Sequence, residues 1–109
     1  MIGARKYERV PFSVAVEVKD LATARSCRGR SIDISRGGMG LYIPIFIAAG
    51  SRVRITMTLT RQGRPVTTWV NALVRRATAE DGGAILGVEF DAVLAVATQP
   101  DLCEMVDRQ

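Results

Sequence analysis

The sequence contains no histidine. It lacks the side chain most often used as a general base and metal ligand near neutral pH, which argues against triad hydrolysis and most zinc chemistry. Lysine is almost missing as well: of 15 basic residues only Lys6 and Lys19 are lysines, and the other 13 are arginines. Aromatic residues make up 6% of the chain, too few for an evident base-stacking platform of the kind single-stranded nucleic-acid binders use. Cys27 and Cys103 form no paired-cysteine motif and read as free thiols of a reduced compartment, not as a disulfide framework. Long apolar runs are missing too. Met39 to Ser51 is interrupted by Gly40, Pro44 and Gly50 and falls short of the roughly 20 residues a membrane-crossing helix needs. The start, MIGARKYER, has charge but no apolar h-region, so neither a membrane span nor a signal peptide is expected, and a cytoplasmic location is.

What remains is a chain of 109 residues, 48% hydrophobic and 24% charged, with a net charge of +4. That composition builds one globular domain with its own core. The arginine bias points to an anionic partner gripped in two places at once, because the planar guanidinium matches phosphate and guanine edges and lysine does not.

Alternation with a period of two dominates the middle of the chain. Phe12, Val14, Val16 and Val18 share one face of an extended segment, and Val53, Ile55, Met57 and Leu59 share one face of another. Further strands are expected over roughly 26–34, 40–43, 66–77 and 84–91. Arg61-Gln62-Gly63-Arg64 and Glu80-Asp81-Gly82-Gly83 carry hairpin turn chemistry. At the end of the chain the period changes: Thr98 as a cap, Pro100 in the first turn, and Leu102, Met105 and Val106 on one face predict a helix near 99–108. Six strands with short connections and no intervening helix predict a mainly β fold, an antiparallel barrel or sandwich, with that helix packed on it.

Two segments carry candidate binding chemistry. Arg5-Lys6-Tyr7-Glu8-Arg9 precedes the first strand and the rigid Val10-Pro11 step; alone it reads as a solvated basic terminus. Asp33-Ile34-Ser35-Arg36-Gly37-Gly38 leaves a strand, and alone it reads as a tight turn. A carboxylate there also accepts two parallel hydrogen bonds from the N1–H and N2–H2 edge of guanine, and glycines let a base or phosphate approach the backbone. Arg25, Arg28, Arg30, Arg75 and Arg76 read mainly as solvated strand positions, Trp69 as a packing residue, and Glu89 and Asp91 as structural carboxylates.

Taken together, RxxxR at Arg5 and Arg9 followed by DxSxxG at Asp33, Ser35 and Gly38 resembles the paired signature of the PilZ domain, the bacterial cyclic di-GMP receptor module. RVPF at 9–12, LYIPIFIAAGSRVRI at 41–55 and GVEF at 87–90 are similar to that family in order and spacing. The resemblance implies a six-stranded antiparallel β-barrel with a C-terminal α-helix over residues 10–109, preceded by a flexible arginine arm at 1–9. It implies a non-enzymatic receptor whose ligand-binding residues are Arg5, Arg9, Asp33, Ser35 and Gly38, with Lys6, Arg36 and Gly37 in support. The ligand implied is cyclic di-GMP, with no cofactor and no metal, and the partner a protein effector in motility, adhesion or exopolysaccharide synthesis. Many members carry a further arginine directly before the pair, associated with a stacked ligand dimer; Ala4 stands there in this chain, which points to a single ligand. The competing readings are a small barrel binding RNA or single-stranded nucleic acid through the same arginines, and a PilZ-like interaction domain without a ligand.

Overall fold

A computed structural model describes residues 7–107. The chain runs through β1 (Val10–Pro11), β2 (Ala15–Asp20), β3 (Ser26–Ile34), β4 (Gly38–Ile43), β5 (Arg52–Arg61), β6 (Arg64–Glu80), β7 (Gly83–Phe90) and α1 (Pro100–Asp107). Neighbours pair antiparallel in the order β1-β3-β2-β5-β6-β7-β4, and a β3–β4 pairing closes β2 to β7 into a six-stranded barrel. Closure removes the free edges a flat sheet would expose. The two-residue β1 is an extra strand laid on β3, a place where Pro11 costs no ladder bond.

The alternating residues face inward as the period of two requires. Val18, Ile34, Leu41, Ile43, Val53, Ile55, Ala72 and Leu86 have no exposed surface, and Val16, Met57, Leu59 and Val74 have almost none. Each such valine, leucine or isoleucine contributes about 1.5–3 kcal/mol by leaving water. Leu94, Leu102 and Cys103 bring the C-terminal segment into the same core, with Met105 and Val106 packed against it.

Two local differences from the sequence reading have clear causes. The first alternating segment is not one strand. Ser31 is buried, and its hydroxyl accepts the Val14 N–H at 2.8 Å while donating to the Phe12 carbonyl at 2.7 Å, so a side chain is inserted among the backbone bonds to β3 where β1 gives way to β2. The helix starts one residue later than the Thr98 cap predicts. Gln99 takes the cap position, its carbonyl accepting the Cys103 N–H at 3.0 Å, while Thr98 donates back to the Ala95 carbonyl. Gln99 is also tied to β6, accepting from the Thr68 hydroxyl and donating to the Trp69 carbonyl. Trp69, read as a packing residue, does its packing on the outside of the barrel: it is half exposed, with the Arg54 guanidinium 4.2 Å above its ring.

The hairpin between β5 and β6 turns through Gln62 and Gly63, both with left-handed φ (51° and 76°), the geometry a twisted two-residue hairpin demands. Between β6 and β7 only Gly82 is left-handed. Among the described residues no helix is long and apolar enough to cross a membrane.

Candidate functional site

The turn from β3 to β4 is built by one side chain. Ser35 is buried, and its hydroxyl accepts the N–H groups of Gly37 and Gly38, each at 3.2 Å, while its own N–H donates to the Gly38 carbonyl at 2.8 Å. These bonds hold Ser35 to the turn itself. The Phe90 N–H donates to the Gly37 carbonyl at 2.8 Å, so the turn is also bonded to the end of β7. Gly38 is a glycine because of strand packing: a methyl group there would lie 2.1 Å from the Val88 carbonyl oxygen.

Asp33 stands just before this turn, beside an irregularity in the β3–β4 register between Ser31 and Asp33. The Arg9 guanidinium donates to Asp33 Oδ1 at 2.7 Å, and the Gly40 N–H donates to the same oxygen at 2.9 Å. The second carboxylate oxygen, Oδ2, carries no hydrogen bond among the described residues. Gly40 makes room for this arrangement, since a methyl group on it would lie 2.8 Å from Oδ1. The two sequence segments are thereby joined 24 positions apart by one charge-assisted bond.

Asp33 and Arg9 line a cleft of about 510 Å³ together with Tyr7, Ser35, Gly37 and Gly38. Arg5 and Lys6 lie outside the described residues. Arg36 does not face the cleft. Its guanidinium donates to the Leu94 carbonyl at 3.1 Å and pairs with Asp107 at 2.7 Å, on the side where α1 packs; the Asp107 hydrogen bond raises its pKa above the ordinary arginine value.

The opposite wall of the cleft comes from β6 and β7 and was not singled out by the sequence motifs. Ile85, Gly87 and Glu89 point outward from β7, and Arg75, Arg76 and Thr78 from β6. A register shift between Val74 and Arg76 breaks the alternation so that Arg75 and Arg76 are both exposed. A bulge of this kind re-aims a side chain, and here it sets two cations next to each other on the same wall. Arg75 lies 3.3 Å from Glu89, whereas Arg76 has no hydrogen bond or ion pair among the described residues. The hint available in the sequence was the consecutive Arg75-Arg76 pair within a strand; the bulge that makes both face one way is a tertiary event.

The polar groups of the cleft are guanidinium forks, a carboxylate with a spare acceptor and peptide N–H groups, over a floor of small residues. Such a set recognises an anion bearing a flat ring with donors on one edge. Among the described residues no group of three or more cysteines or carboxylates stands where a metal ion would be held.

The family model for the PilZ domain matches residues 4–102. The chain belongs to the PilZ domain family. Its fold is similar to solved structures of low sequence identity. With the Bacillus subtilis inhibitor of motility MotI/DgrA it shares a TM-score of 0.76 at 21% identity, over 99% of this chain and 52% of that one, so it spans about half of that protein. With the structure described as the PilZ domain with c-di-GMP of YcgR from Escherichia coli it shares a TM-score of 0.73 at 17% identity, over 95% of this chain and 89% of that one. With the PilZ domain of CeSA from a cellulose-synthesizing bacterium the TM-score is 0.61 at 17% identity, over 91% and 94% of the two chains. Comparison with curated proteins returned no match. In this PilZ domain the DxSxxG residues divide their work: Ser35 and Gly38 shape the turn, and Asp33 faces the cleft.

Proposed function

We propose that this PilZ domain is a receptor module for cyclic di-GMP and not an enzyme. The observation that carries the reading is Asp33, fixed by Arg9 and the Gly40 N–H at the wall of the cleft with Oδ2 left to accept from a guanine edge. A phosphate takes the guanidinium forks. Arg9 sits on one wall and Arg76, without an ion-pair partner among the described residues, on the other; by the family resemblance Arg5 is the second arginine of the RxxxR pair. The structure described as YcgR of Escherichia coli in complex with c-di-GMP, at 20% identity and a TM-score of 0.70, supports the ligand class. A ligand spanning the two walls of the cleft alters the surface offered to a protein effector, the minimum a switch requires.

Calorimetric titration with cyclic di-GMP beside GMP and cyclic di-AMP tests this. Saturable binding of cyclic di-GMP is expected, weaker binding of GMP, which offers a single guanine, and none of cyclic di-AMP, since adenine lacks the N1–H and N2–H2 edge donors offered to Asp33. Equal binding of cyclic di-AMP would remove Asp33 from its role, and affinity only for oligonucleotides, steep in salt, would replace the receptor with a nucleic-acid binder.

A further inference from the structure

Tyr7 is the middle residue of the RxxxR segment but not part of its signature, two positions after Arg5 and two before Arg9. Its ring lies against Gly37: a methyl group built on Gly37 falls 2.9 Å from Cδ2, 3.3 Å from Cε2 and 3.9 Å from Cγ. Gly37 does not have a left-handed φ, so backbone freedom does not require glycine there. Space for the Tyr7 ring does. The peptide beneath the ring is held from both sides, its N–H donating to the Ser35 hydroxyl and its carbonyl accepting from Phe90. It is therefore a fixed floor. Tyr7 is half-buried on this floor and lines the cleft beside Arg9.

We propose that Tyr7 is a positioning residue, a latch that docks the RxxxR segment on the DxSxxG turn through Gly37 before any ligand arrives. Gly37 then serves the latch and not the close approach of a ligand to the backbone. With Tyr7 seated, Arg9 is delivered to Asp33. A segment already docked at Tyr7 and Arg9 loses less freedom when Arg9 takes an anion, so the latch acts on affinity by holding Arg9 in place. The Tyr7 hydroxyl makes no hydrogen bond among the described residues, so the ring alone is needed.

The inference rests on the receptor reading, and two measurements keep their failures apart. In the free protein, the α-protons of Gly37 carry a ring-current shift in the NMR spectrum that is kept in Tyr7→Phe and lost in Tyr7→Ala. In titrations with cyclic di-GMP, Tyr7→Phe binds as the parent does, whereas Tyr7→Ala and Gly37→Ala each bind about tenfold more weakly, which is about 1.4 kcal/mol. The double variant is no weaker than either single one, because without the ring the added methyl meets nothing. Absence of the ring-current shift, undiminished affinity in Tyr7→Ala, or additive losses in the double variant would each overturn the latch. A normal shift in a protein that titrates no cyclic di-GMP would instead overturn the receptor reading, and with it the contribution of Tyr7 to binding.

Discussion

At the scale of single residues, the site separates groups that face a ligand from groups that hold the site together. Arg9 and Asp33 are partly exposed, with side-chain exposures of 22% and 29%, and their ion pair contributes less than about 1 kcal/mol to folding. Arg9→Ala and Asp33→Ala are therefore expected to keep the melting temperature and lose at least about tenfold in cyclic di-GMP affinity, one charge-assisted bond contributing about 1.5–3 kcal/mol. Calorimetry and thermal unfolding of the same samples check this. The glycines give a sharper contrast. Gly40→Ala pushes only the end of a flexible side chain, Asp33 Oδ1, so the fold persists while binding falls as it does in Asp33→Ala. Gly38→Ala drives a methyl into the Val88 carbonyl, so the strands must part and unfolding is easier by about 1–3 kcal/mol. Equal melting temperatures for the two variants would contradict this division.

At the scale of elements, the C-terminal helix is held by arginines that come from the barrel. Arg61, at the end of β5, pairs with Asp101 and Glu104 of α1, and the Asp101 hydrogen bond raises its pKa above the ordinary arginine value. Arg36, inside the β3–β4 turn, pairs with Asp107 at the other end of α1, and the Arg36 carbonyl accepts the Leu94 N–H at 2.8 Å. The cleft turn and the helix are thus mechanically linked. Arg61→Ala leaves two carboxylates facing a partly apolar surface, and Leu102 and Cys103 then seat less firmly. Amide exchange in α1 should quicken while exchange in β5 and β6 stays slow; uniform exchange would show that core burial alone docks the helix. The long β6 matters for the cleft in a different way, since its bulge at Arg75 determines which side chains reach the far wall.

At the scale of the whole molecule, the thiols report on the integrity of the fold. Cys27 and Cys103 are both free, and burial pushes both thiols above their ordinary pKa. The neutral thiol is favoured in the folded chain. Below the ordinary thiol value of about 8.5 both states hold the proton and nothing changes with pH. Above it the unfolded chain releases the proton first, so stability falls as pH rises toward the raised folded values. The urea midpoint is expected to decline above that point, less steeply in Cys103→Ala, and iodoacetamide should label Cys103 slowly in the native protein and quickly in urea. Rapid native labelling of Cys103 would mean that α1 is not seated on the barrel.

How much of this was legible in the sequence follows from the range of the forces involved. The alternation of Val53, Ile55, Met57 and Leu59 and the turn residues Gln62-Gly63 specify strands and a hairpin locally, and β3 occupies the span its pattern predicts. The family resemblance carried by the two motifs pointed to Arg9 and Asp33, and the structure joins these two by a hydrogen bond. Three things needed the closed barrel. Whether Gly38 serves a ligand or strand packing depends on β7, which arrives from 50 residues away in the chain. Arg36 faces α1 and not the cleft because its guanidinium meets a carboxylate 71 residues on. Arg75 and Arg76 share a face only because the β6–β7 register shifts between them. Hydrogen-bond patterns and hydrophobic period act over a few residues and are written in the sequence; the side of the barrel on which a group emerges is settled only when distant strands pair.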